Sequence, residues 1–403
     1  MDGLHHTNPR LPWQAPFGVL AGAFLFNLGQ GVLRPTLPLY LQHVFSADYR
    51  MVTLIPAVFG VGKWVANLPS GYLLDRLGRR RLMAAGLILI ALCDVGSVMT
   101  SAYGAFLSLR ALAGVGWAAF STVATTTMVN HSTSHRRGRA VSLLLMSETL
   151  GLLLGTTAGG WLYQGVNVAS PFLFEAACML VAAIAMARRD AWTAPLPSAR
   201  PLERFDRRLL GTVLRTPGVL LMSLTNAALI AIQTGVLVFL FPLYLAERAG
   251  LRPENIGVLI SLGVLGRLLA LWIGGNASDR LGRLQVLVSG LLAYAVLLGS
   301  LPLVSHSITL GLWSLAMGLA AGFVASLPTA FIGDRVGSPL HGVAVGWLRT
   351  MTDGGQILGP IVMGAVADAM HISATFLLAS ALLVTIAWRC HRHAVTPTAS
   401  REP

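Results

Sequence analysis

A chain with twelve separate runs of about 20 apolar residues has few ways to fold. The run cores lie at 17–41, 51–74, 82–100, 103–129, 138–163 and 171–187, then at 217–245, 255–277, 285–304, 308–332, 341–366 and 372–389. Hydrophobic residues make up 55% of the sequence and charged residues 11%, more apolar surface than a soluble domain of this size can hide. Lipid must therefore solvate much of it. Each run is expected to cross the bilayer as a helix, which satisfies all its backbone polar groups internally. Runs longer than 20 residues imply tilt or protruding ends. The first sixteen residues are polar and dotted with proline, so no cleavable signal peptide is expected.

The net charge of +13 could suggest nucleic acid, but its distribution argues for topology instead. Segments on the side of the two termini carry 21 arginines, whereas the other side carries only Arg50, Arg248 and Arg252. The positive-inside rule puts both termini in the cytoplasm of a bacterial inner membrane, with some contact to anionic lipid. Five basic residues fall inside spans: Arg34, Lys63, Arg110, Arg267 and Arg349. Cys93, Cys178 and Cys390 are odd in number and widely spaced, which fits buried thiols and neither a disulfide frame nor a metal site.

The chain also repeats itself at an offset of 204 residues. "PLYL" at 38–41 returns at 242–245, and "GYLLDRLGR" at 71–79 returns as "GNASDRLGR" at 275–283. Lys63 maps to Arg267, Gly155 to Gly359 and Gly160 to Gly364. The expected organisation is a six-helix bundle over residues 1–188, a cytoplasmic linker over 189–216, and a second six-helix bundle over 217–403. Two parallel repeats with a site between them is a transporter architecture.

"GYLLDRLGRRR" at 71–81 resembles the signature loop between spans two and three of the major facilitator superfamily. "RALAGVGWAA" from Arg110, "LGQGVLRPTLP" at 28–38 and "GLLLGTTAGG" at 151–160 resemble motifs of its twelve-span drug:proton antiporters, except that Thr156 stands where the last motif has proline. The resemblance implies an all-α fold of twelve transmembrane helices in two pseudo-symmetric bundles. It also implies a gating role for Gly71, Asp75, Arg76, Gly78 and Arg79, and for Gly275, Asp279, Arg280, Gly282 and Arg283 in the copy.

Charges at membrane depth are costly unless paired or wetted. Arg34 lies on a helical stripe with Asn27 and Gln30, which suits a polar cavity wall. Arg110 begins a face with Trp117; the resemblance implies a functional role for it at the substrate cavity, the alternative being a structural pair with Asp94 on the next helix. Asn226 and Gln233 are the polar candidates of span seven. Glu175 lies near an outer end and is expected to reach headgroups. Glu148 and Asp353 are the candidate proton carriers, Asp353 being within reach of Arg349. Gly151, Gly155 and Gly159, and Gly355, Gly359 and Pro360, form small-residue stripes for close helix packing. Residue depths counted from the cytoplasmic ends predict two cross-seam contacts, Lys63 with Asp353 and Arg267 with Glu148, forming or parting as the halves rock.

The expected function is secondary active transport, proton-coupled efflux of small organic molecules by alternating access. The alternatives are an uptake symporter, favoured by Thr156, or a polytopic membrane enzyme or receptor. No nucleophile motif, phosphate loop or metal spacing points to catalysis, so neither a cofactor nor a metal is expected. The expected partners are a small-molecule substrate, protons and membrane lipid, with the protein acting as a monomer.

Overall fold

A computed structural model describes residues 17–130, 137–187, 207–336 and 340–395. Within these, only the backbone is described at 67–77, 129–130, 137–141, 187, 207–210, 271–281, 341–342 and 393–395. The described residues are helical almost throughout. Spans one to six are Phe17–Phe45, Tyr49–Leu77, Arg79–Met99, Tyr103–Asn130, Arg137–Gly165 and Ser170–Ala187. Spans seven to twelve are Val219–Glu247, Pro253–Leu281, Arg283–Ser300, Ser307–Arg335, His341–Ala369 and Ile372–Val395. A short helix, Arg207–Arg215, precedes span seven.

Nine of these are long and apolar enough to cross a membrane on composition alone, and Ser170–Met186 is a shorter apolar helix. The described parts of Tyr49–Leu77 and His341–Ala369 are not among them; these helices carry Lys63 and Asp353 and lie where the two halves meet.

The packing order is the same in each half. Span one packs on five as seven does on eleven; two on four as eight on ten; three on six as nine on twelve. The halves meet where span two crosses eleven and span five crosses eight. Even the turns repeat. Gly78 and Gly282, each closing the loop before the next helix, take φ of 77° and 88°, a region that side chains other than glycine's rarely enter.

Glycine also brings the helices within each half together. Cβ atoms added at Gly151, Gly155 and Gly159 would run into the carbonyls of Phe24, Leu28 and Val32 on span one. In the second half, one at Gly355 would strike the Ala227 carbonyl and one at Gly359 would strike Ala231, while Pro360 packs on Gly235. Without lipid-excluding apolar force between helices, this close backbone contact is what associates them. Gly155→Val should therefore destabilise the protein by about 1–3 kcal/mol or more through overpacking. Gly346→Val, where an added Cβ meets nothing within 4 Å, should not. Melting temperatures of the two purified variants in the same detergent check the contrast.

Span seven departs from regular helix. Its middle, Ile232–Leu240, is a π-helix that ends just before Pro242. π-Bulges of this kind are frequent at functional sites.

Candidate functional site

The seam between span two and span eleven carries a charged contact. Lys63 Nζ lies 3.4 Å from Asp353 Oδ1 and donates to Gln356 Oε1 at 2.8 Å. It also sits 4.8 Å from the centroid of the Trp117 ring, so the ammonium has an anion, an amide oxygen and an aromatic face around it. Gly60, one helical turn away, lets Ile357 and Gln356 approach span two. Asp353 thus pairs with Lys63 and not with Arg349. The latter is exposed and is in no ion pair among the described residues. Arg349 is four residues before Asp353 and on the same side of the helix, yet its side chain is exposed and the aspartate is taken by span two.

The second cross-seam pair is corrected by the structure. No ion pair joins Arg267 to Glu148 among the described residues. Both side chains instead line one cavity of about 260 Å³, with Arg34, Asn27 and Gln233. The physical reason lies in how spans five and eight touch. Their contact is made toward the ends farther from the chain termini, where Gly257 packs on Thr156 and Gly160 on Pro253. Thr156 and Thr157 each share a 2.7 Å hydrogen bond with Ser261 there. At the level of Glu148, two turns away, the cavity lies between the helices. Thr156, standing where the motif has proline, also bonds its own helix through the Leu152 carbonyl.

The cavity has an aromatic wall. Phe241 and Trp313 meet as tilted rings with centroids 5.3 Å apart, and Trp313 Nε1 donates to the Leu297 carbonyl at 2.8 Å, which fixes the indole. Neither ring was singled out by motif, and Ser314, also in the wall, was not singled out at all.

Arg110 is not in this cavity. It is 4% exposed, bonded to Asp94 at 2.7 Å and to Ser97 at 2.9 Å, with Phe106 and Phe172 under its guanidinium. Glu175 belongs beside it. Far from reaching headgroups, Glu175 is fully buried and accepts a hydrogen bond from Gln30. Its place near a helix end suggested exposure, yet it turns inward, where Gln30 supplies a partner. Trp117 backs Lys63 and touches Phe26, and Asn226 is tied to Thr352 at 2.7 Å. Neither lines the cavity.

A third group of contacts closes the seam at the end away from the termini. Asp368 of span eleven accepts from the backbone N–H groups of Tyr49 and Arg50, the free first turn of span two. Arg50 also pairs with Asp368 at 3.5 Å. Gln42 and Tyr49 both bond Glu247 of span seven. Sequence carries no signal for these, because each joins residues about two or three hundred positions apart.

The gating motif is described in part. The side chains of Gly71, Asp75, Arg76, Gly275, Asp279 and Arg280 lie outside the described residues. Arg80 bonds the Met186 carbonyl at 3.2 Å, and Arg283 pairs with Asp334 at 2.6 Å. Both tie the loops to their own halves. Among the described residues, no cluster of three or more His, Cys, Asp or Glu could hold a metal ion.

The pattern of the Major Facilitator Superfamily matches residues 19–253 and 224–402. Multidrug resistance protein 2 of Bacillus subtilis is 22% identical over 92% of this chain and 94% of its own. The uncharacterized MFS-type transporter YcaD of Escherichia fergusonii is 28% identical over 82% and 78%. The crystal structure of the nucleoside transporter NupG superposes with a TM-score of 0.76 at 13% identity, covering 94% of this chain and 99% of that one, which speaks to fold. With its twelve spans, paired halves and shared motif loop, this integral membrane protein is a transporter, not an enzyme, and belongs to the major facilitator superfamily.

Proposed function

We propose that the protein is a proton-coupled secondary transporter of small organic molecules, working by alternating access in a bacterial inner membrane with both termini in the cytoplasm. The observation that carries this reading is a single cavity between the halves, lined from both, that holds a carboxylate, Glu148, with no ion-pair partner among the described residues. A proton and a solute can meet in such a space. The closed contacts around Asp368 and Glu247 support an arrangement shut on the outer side, with substrate access from the cytoplasm. Glu148 and Asp353 are the proton-coupling candidates, and the two glycine-anchored motif loops are the gates. The working unit is a monomer embedded in lipid.

Export is the direction favoured by the likeness to a multidrug resistance protein. Uptake by symport is the second reading. It is favoured by Thr156, which holds span five to Ser261 where the antiporter motif would place a proline. Protein reconstituted in liposomes with an imposed proton gradient should drive net movement of a solute bound in the cavity. Dissipating the gradient with a protonophore should reduce this flux to the level of empty liposomes. Flux unaffected by the protonophore rules out proton coupling; the sign of net movement separates export from uptake.

A further inference from the structure

The two arginines that line the cavity are in no ion pair among the described residues. Arg34 and Arg267 line the same space from opposite halves. Neither guanidinium has a hydrogen-bond or ion-pair partner among the described residues. Like charges brought together at membrane depth are costly, and nothing in the cavity wall but Glu148 offsets them. With Glu148 ionised, the cavity keeps one positive charge in excess. Ser314 adds a third unpaired donor: it is 2% exposed, it lines the cavity, and its hydroxyl has no partner. The lining also includes apolar and aromatic groups, among them Phe241 and the hydrogen-bonded Trp313.

The geometry points to an amphipathic organic monoanion as the ligand of this cavity, its acidic group between Arg34 and Arg267 and its ring against Phe241 and Trp313. The inference rests on the transporter reading and names its substrate class. A guanidinium pair offers several N–H donors in planar forks, which suits carboxylate, sulfonate or phosphate oxygens. One negative charge neutralises the excess of one. A cavity of about 260 Å³ is at the small end for organic ligands, which limits the apolar body to one or two rings. A cationic solute would meet two unpaired arginines and lose water without gaining a counter-charge beyond Glu148. The same electrostatics links the proton to the anion. Protonating Glu148 raises the positive excess, so proton and anion bind together instead of competing, a linkage that belongs to the symport reading and not to export by antiport.

Three probes of matched shape test this: 1-naphthalenesulfonate, neutral 1-naphthalenesulfonamide and cationic trimethyl(1-naphthyl)ammonium. Binding to the purified full chain is measured by calorimetry in nanodiscs at neutral pH. The sulfonate should bind at least tenfold more tightly than either of the others. Arg34→Gln and Arg267→Gln should each weaken it by roughly tenfold to a hundredfold, the range for a charged hydrogen bond. Arg34→Lys should restore part of the loss, and Glu148→Gln should tighten binding. Melting temperatures near wild type show that the variants are folded; if Arg34→Gln is not, Arg267→Gln and Ser314→Ala carry the test. A preference for the cation or the amide, no binding of any probe, or looser binding in Glu148→Gln overturns the inference. Flux in proteoliposomes separates it from the reading beneath it. A cation carried against a proton gradient keeps the transporter and discards the anion site. A sulfonate bound through both arginines but never moved keeps the site and discards the proposed coupling.

Discussion

Glu148→Gln should abolish proton-driven accumulation while leaving exchange of solute across the membrane intact. Glutamine has the shape of a protonated glutamate but cannot release a proton, so the site is fixed in one of its two states. Solute can still load and the halves can still rock; what is lost is the link between proton release and the half-cycle. Accumulation under an imposed gradient should fall at least tenfold, toward the level of empty liposomes. Counterflow with solute on both sides should stay within about twofold of wild type. These thresholds match a loss of roughly 1.4 kcal/mol or more of driving force against a near-neutral change in the exchange barrier. Wild-type accumulation in the variant would remove Glu148 from the coupling path and leave Asp353 as the carboxylate to examine.

Arg110→Met should be the most destabilising single change among the charged residues, costing about 3–5 kcal/mol, the range for breaking a buried ion pair. The cost does not come mainly from the lost attraction. It comes from Asp94, which is 0% exposed and would be left buried without the guanidinium that bonds it. Fully buried Glu175 would be left near it with no cation at hand. Asp94→Leu combined with Arg110→Met removes both members of the pair and should recover most of the loss, since apolar packing of similar volume often replaces a buried pair at little cost. Unfolding of the two variants in mixed micelles measures the difference. A double variant no more stable than the single one would place the cost on the rings of Phe106 and Phe172, which lose the stacked guanidinium.

The spans, the repeat and the seam partners were legible because each depends on position along one helix. Apolar length marks the spans, and a fixed offset pairs the halves. Depth at a constant rise per residue brought Lys63 level with Asp353. What depth cannot encode is rotation about the helix axis and the distance between helices. Arg267 and Glu148 are also close in depth, yet the glycine and hydroxyl contacts of spans five and eight lie farther along, and a cavity stands between the two charges. Glu175 was misread for a related reason. On an almost uniformly apolar helix such as Ser170–Ala187, no polar face shows which side is inward. Arg349 is within reach of Asp353 by spacing but does not pair with it, because a spacing of four residues shows that two side chains can meet, not that they do. The closing contacts at Asp368 and Glu247 had no sequence signal at all, since a helix-capping carboxylate from another part of the chain has no local motif.

The position of the one lysine has a mechanical meaning. Lys63 is the middle residue of the 29-residue helix Tyr49–Leu77, and Arg267 is the middle residue of the 29-residue helix Pro253–Leu281. Asp353 and Gln356 flank the midpoint of His341–Ala369, another helix of 29 residues. Each helix is thus a beam loaded at its centre, with arms of about 20 Å to either side. Tilting such a beam about its centre carries each tip roughly 0.4 Å per degree for this arm length, while the centre hardly shifts. A flexible lysine tether at the balance point could keep hold of Asp353 or Gln356 throughout the tilt, in which case the contact would serve as a bearing and not as the forming and parting latch expected from depth alone. By the same geometry Arg267 stays at nearly constant depth. The solute would then keep its place at a stationary charge while the two mouths of the protein open and close around it.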